Sequence, residues 1–179
     1  MCHAPNIAFD MREFFRASNQ LYKDGLIKHV GVSNFGPSML QLALDTSDIP
    51  INLNQVSFSM SDYDIVTSGT YDFCIKNNIP IQAYRTLVSL TEDEAVVSVL
   101  SEVAKTNNIS MHQVALAYIN SYEGVVFTIR ASSKKHWDEI KQAVTTKLPN
   151  SDIAKLKQVH AGKKGHFSDF LNAQVPEHI

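Results

Sequence analysis

The run Gly31-Val32-Ser33-Asn34-Phe35 closes the apolar stretch Leu26-Ile27-Lys28-His29-Val30-Gly31-Val32, which reads as a buried strand, and a helical pattern follows at once. In alternating β/α proteins, ligands bind where strands end at their carboxyl side. Ser33 and Asn34 therefore put a hydroxyl and an amide at a position suited to reading a polar ligand. The bland alternative is that the same two residues cap the following helix.

The elements that must position this pair alternate along the chain, the order expected of a parallel α/β sheet. Strands are expected at about 26–32, 51–56, 79–84 and 125–129, with a stub at Met1–His3. The first helix is expected from about Asp10 to Lys23, with Phe14, Phe15, Leu21 and Tyr22 at helical spacing and Asp24-Gly25 as its stop. Pro37 opens a second at a first-turn position, with Met39, Leu40, Leu42, Ala43 and Leu44 on its buried side. A third is expected over Ile65–Lys76, closed by Asn77-Asn78. Thr91-Glu92-Asp93-Glu94 reads as a capping box for a helix to about Thr106. Ser110, then Ser132 or Ser133, then Ser151 are expected to cap three more, and a short helical turn is expected at 168–172.

The 179 residues carry 16 basic and 18 acidic side chains, a net charge of −2, and no basic run. That argues against a nucleic-acid or membrane-surface partner. Cys2 and Cys74 are far apart with no Cys-x-x-Cys, which suggests neither a disulfide scaffold nor a zinc site and fits reduced thiols in a cytoplasmic protein. No apolar run approaches the ~20 residues of a membrane span.

The block Lys23–Phe35 resembles the fifth strand unit of the aldo-keto reductases: a Gly-Lys-like turn, a strand, then Gly-Val-Ser-Asn-Phe. Met1-Cys2-His3-Ala4-Pro5 resembles the His-x-Pro that ends that family's fourth strand. The resemblance implies a partial (β/α)8 barrel, about strands 5–8 with their helices, as a single domain over residues 1–179. It also implies an oxidoreductase that reduces aldehydes and ketones with a nicotinamide cofactor, NADP(H), acting on a small carbonyl substrate. By the same resemblance Ser33, Asn34 and Gln55 bond the nicotinamide carboxamide, an amide being fixed by complementary donors and acceptors. Tyr84 stacks on the nicotinamide ring. Arg130 and His136 meet the 2′-phosphate, Glu139 lies near the adenine, and His3 orients the substrate carbonyl. The chain departs from the family pattern at Thr86 and Val88, where proline and glycine are usual, and at Ile140, where asparagine is usual.

The family's proton donor is a tyrosine whose pKa is lowered by a lysine and an aspartate, all from strands two and three. Neither strand has a counterpart here, and Tyr63 and Tyr71 match nothing in that set. The chain is accordingly expected to be a truncated product with little activity alone. The alternative is a non-catalytic nicotinamide-binding or interaction module. Open barrel edges and an uncovered apolar face predict self-association.

Overall fold

The computed structural model describes residues 1–6, 8–160 and 168–175. Among the described residues four strands form one sheet in chain order: β1 (Val30–Ser33), β2 (Ile51–Ser57), β3 (Ile81–Tyr84) and β4 (Val125–Phe127). β1 and β2 are parallel, with Ser33 opposite Gln55. Bonds from Asn54 N–H to the Pro80 carbonyl (2.9 Å) and from Phe58 N–H to the Tyr84 carbonyl (3.2 Å) advance in step, so β2 and β3 run the same way. The described residues separate into two compact units, one of residues 1–6, 8–56, 64–82 and 168–175, the other of residues 57–63 and 83–160.

In the first unit, α1 (Met11–Lys23) is capped by Asp10, whose carboxylate accepts from Arg12 N–H. Its buried face is Met11, Phe15, Ser18 and Asn19. Leu21, off the stripe that Met11 and Phe15 set, is 41% exposed; Tyr22 falls on that stripe, seven residues after Phe15, but sits in the last turn of the helix and is 48% exposed. The Asn19 side chain donates to the Thr46 carbonyl and accepts from Asp48 N–H, fastening α1 to the end of α2 (Pro37–Thr46). β1 begins four residues later than the periodicity suggests. Gly25, at φ +72, ends the helix turn, and Leu26 is left 70% exposed before the chain enters the sheet. Met1–His3 meets β1 through a parallel bridge of Cys2 to Val32, with Cys2 N–H donating to the Gly31 carbonyl at 2.9 Å.

The helix expected over Ile65–Lys76 is two, α3 (Asp64–Thr67) and α4 (Thr70–Lys76), broken at Gly69 with φ +76, a conformation that stops a helix. The short α9 (Ser168–Leu171) also belongs to this unit, and its backbone lies against Gly36. A Cβ on Gly36 would come within 1.7 Å of the Leu171 carbonyl oxygen. Gly36→Ala should therefore dislodge α9 or cost about 1–3 kcal/mol of stability by overpacking. Limited proteolysis of the C-terminal segment alongside urea unfolding measures this. An unchanged cleavage pattern and midpoint would refute the contact.

In the second unit, α5 (Glu94–Asn107) is capped by Asp93, not by Thr91. The Asp93 carboxylate accepts from Ala95 N–H (2.9 Å) and Val96 N–H (3.2 Å). Residues 85–92 form turns instead, with Arg85 and Ser89 at φ 59 and 56. α6 (Met111–Asn120) starts with a Ser110–Gln113 capping box and is buried from Gln113 to Ile119. β4 is shorter than the apolar run 125–129, although Thr128 N–H still donates to the Ala83 carbonyl. Ser133 caps α7 (Lys134–Thr145), accepting from His136 N–H. α8 (Asn150–Gln158) begins after Pro149, which places Ser151 inside the first turn rather than at the cap.

Candidate functional site

The first cluster is built where β1 ends beside β2. Ser33 is buried, and its hydroxyl donates to the Gln55 carbonyl at 2.8 Å. Asn34 adopts φ 60, a left-handed conformation that asparagine tolerates better than most residues. Its N–H donates to the same carbonyl at 2.9 Å. Its amide nitrogen donates to the His3 carbonyl (3.3 Å) and the Ser33 hydroxyl (3.2 Å). Gln55, half-buried, donates through Nε2 to Gln82 Oε1 at 2.6 Å. Ser33, Asn34 and Gln55 thus come together as a hydroxyl beside two amides. His3 reaches this cluster only through its backbone carbonyl, its side chain being exposed. Neither Ser33 nor Asn34 caps α2, whose cap position is Gly36 with no side-chain bond.

Sequence reasoning missed Asn54. It is fully buried, donates to the Phe35 carbonyl at 2.8 Å and accepts from Phe35 N–H at 3.4 Å. It therefore holds the turn that carries Ser33 and Asn34. Its amide nitrogen also lies 3.8 Å from the Cys74 thiol, which burial pushes up to about 11 and so keeps protonated near neutral pH. The available signal was an amide at a buried position of a β-strand, where an unpaired polar group is costly.

In the second unit, Tyr84 ends β3 half-buried, its carbonyl accepting from Phe58 N–H. Thr86 is buried two residues on, and its hydroxyl has no hydrogen-bond partner among the described residues. Arg130, His136 and Glu139 all line one cavity of about 220 Å³, whose apolar wall includes Leu87, Leu116, Ile129 and Ile140. His136 Nδ1 lies 3.2 Å from the Ser132 hydroxyl, which sets the ring's orientation. Among the described residues no hydrogen bond or ion pair engages the Arg130 or Glu139 side chain. His112 and Gln113 join the same cavity from α6 and were not singled out in the sequence.

The same unit holds a chain of three tyrosines, Tyr118 and Tyr122 buried and Tyr63 half-buried. The Tyr63 and Tyr122 hydroxyls are 2.6 Å apart, those of Tyr118 and Tyr122 2.8 Å apart, and His160 stacks on Tyr63 at 4.1 Å. Burial, reinforced by the Tyr122 hydroxyl, pushes the Tyr118 phenol up, the opposite of what a proton-donating tyrosine requires. No group of three or more metal-ligating side chains occurs among the described residues, and no helix there is long and apolar enough to cross a membrane.

The model of the Aldo/keto reductase family matches residues 1–161. The chain belongs to that family. It is 34% identical over 127 residues to glyoxal reductase of Bacillus subtilis, covering 70% of this chain and 43% of that protein. It is 32% identical over 100 residues to the NADPH-dependent alpha-keto amide reductase of Saccharomyces cerevisiae, covering 53% of this chain and 32% of that one. Among solved structures it resembles the thermostable aldo-keto reductase Tm1743 in complex with epalrestat. The TM-score is 0.82 at 30% identity, over 88% of this chain and 57% of that one. The chain spans about half the length of the curated relatives it matches. Aldo/keto reductase membership accounts for the parallel sheet.

Proposed function

We propose that this chain is the cofactor-binding, C-terminal half of an aldo-keto reductase barrel, corresponding to strands five to eight in a single domain over residues 1–179, and that it binds NADP(H). The observation that carries this reading is the convergence of Arg130, His136 and Glu139 on one cavity, with the Arg130 and Glu139 side chains making no hydrogen bond or ion pair among the described residues. A guanidinium and an imidazole suit a phosphate, and a carboxylate suits an exocyclic amine. The Ser33–Asn34–Gln55 cluster carries the hydroxyl and amide types that a carboxamide pairs with, although the Ser33 hydroxyl, Asn34 Nδ2 and Gln55 Nε2 already donate within the protein, and the resemblance assigns Tyr84 to the nicotinamide ring. The cofactor would supply hydride; these residues would bind it, orient it and shield it.

Glyoxal reductase and alpha-keto amide reductase are named for small dicarbonyl-type compounds, and a small carbonyl is the substrate class proposed for the whole enzyme. None of the residues assigned here matches the family's proton-donating tyrosine or the lysine and aspartate that accompany it. The chain alone is therefore expected to bind NADPH and reduce glyoxal at near-background rate, because developing alkoxide charge lacks a positioned proton donor. Fluorescence titration with NADPH, followed by loss of NADPH absorbance in glyoxal, tests both halves. Folded protein that fails to bind NADPH would sink the cofactor reading. Brisk glyoxal-dependent oxidation would sink the claim that the acid lies outside this chain. We further propose a cytoplasmic setting and self-association through the sheet edges. A single monomeric species in sedimentation at micromolar concentration would refute the association.

A further inference from the structure

We propose that His112 is a specificity-determining residue of the nucleotide cavity, bonding the edge of a purine base. The inference rests on the NADP(H) reading of that cavity. About 220 Å³ is smaller than the roughly 300–1,000 Å³ that encloses a whole drug-sized ligand, so the cavity suits one end of a larger molecule. Its polar members divide by what they already do. Gln113 is spent: its Oε1 accepts from Ser110 N–H at 2.9 Å and its Nε2 donates to Gln142 Oε1 at 2.8 Å. The His136 ring is turned by the Ser132 hydroxyl.

That leaves Arg130, Glu139 and His112, whose side chains form no hydrogen bond or ion pair among the described residues. Their chemistries are complementary rather than redundant. Arg130 offers only donors and suits phosphate; Glu139 offers only acceptors and suits an amine; a neutral imidazole offers one donor and one acceptor. An adenine edge presents an amine beside ring-nitrogen acceptors, which calls for both. Ile140, on the cavity wall, offers neither. His112 enters from the first turn of α6, a different element from the α7 start that carries His136. It therefore adds a second direction of recognition instead of repeating the phosphate contact.

The test titrates the full chain and its His112→Ala, His112→Gln, His112→Phe and Arg130→Ala variants with adenosine 2′,5′-bisphosphate and with ADP by calorimetry. His112 is exposed, and circular dichroism checks each fold. His112→Ala should weaken both nucleotides equally, about tenfold, the size of one hydrogen bond. His112→Gln should keep most of the affinity, and His112→Phe should be as weak as alanine. Arg130→Ala should weaken the bisphosphate far more than ADP. If His112→Ala weakens only the bisphosphate, or nothing, or if His112→Phe binds like wild type, the base-edge assignment is overturned while the cofactor reading stands. Folded wild type that binds neither nucleotide overturns the cofactor reading itself, and this inference with it.

Discussion

Replacing Arg130 with alanine is expected to remove most of the preference for NADPH over NADH. The two cofactors differ by the 2′-phosphate, and Arg130 lines the cavity assigned to it with His136 and Glu139. A hydrogen bond to a charged group contributes about 1.5–3 kcal/mol, so roughly a ten- to hundredfold loss in NADPH affinity is expected. NADH should be nearly unaffected. Arg130→Lys should recover part of the loss, because the charge persists while the planar fork is gone. Added salt should shrink the wild-type preference, since Arg130 is exposed and its field is screened. Stability should not change, because among the described residues Arg130 makes no ion pair for the protein to lose. Paired titrations with both cofactors decide the matter. Equal wild-type affinities, or a variant that keeps the preference, would remove Arg130 from the phosphate site.

Replacing Asn54 with alanine is expected to destabilise the first unit by about 2–4 kcal/mol, from two buried backbone groups losing partners at about 1–3 kcal/mol each. The stronger bond is the 2.8 Å donation to the Phe35 carbonyl; the 3.4 Å bond from Phe35 N–H is the weaker. Asn54 and Phe35 are both fully buried, so water cannot substitute without opening the turn. Asn54→Asp should be worse than alanine at neutral pH. A carboxylate cannot donate to the carbonyl and would be buried without a counter-charge. Because the turn carries Ser33 and Asn34, NADPH affinity should fall as well, even under conditions where the variant is folded. Urea unfolding with an unchanged slope and a lower midpoint is the expected record. A midpoint within error of wild type would show that the Phe35 turn holds without Asn54.

The order of strands and helices was legible in the sequence, and so were the strand-end motifs. Hydrophobic runs, Pro37 at a first turn and Asn78 in a left-handed conformation after α4 are local signals, set by dihedral preference and side-chain spacing. Boundaries were legible only to within a few residues. Leu26 carries the apolarity of a strand, yet Gly25 turns the chain there and pairing starts at Val30. Thr91 and Ser151 have the chemistry of caps. Asp93 and Pro149 take those places because competing caps differ by about 1 kcal/mol or less, and turn geometry decides between them. The tertiary structure alone decided which side chains meet. Asn54 finds Phe35 across 19 residues through the β1–β2 register. Gly36 meets the backbone of Leu171, and His112 joins Arg130 and Glu139 at one cavity. Of these partners only Asn54 leaves a local trace, a polar side chain at a buried strand position, and that trace does not name Phe35. The pairings are set by which segments the tertiary fold brings together, the parallel crossover between β1 and β2 joining residues far apart in sequence.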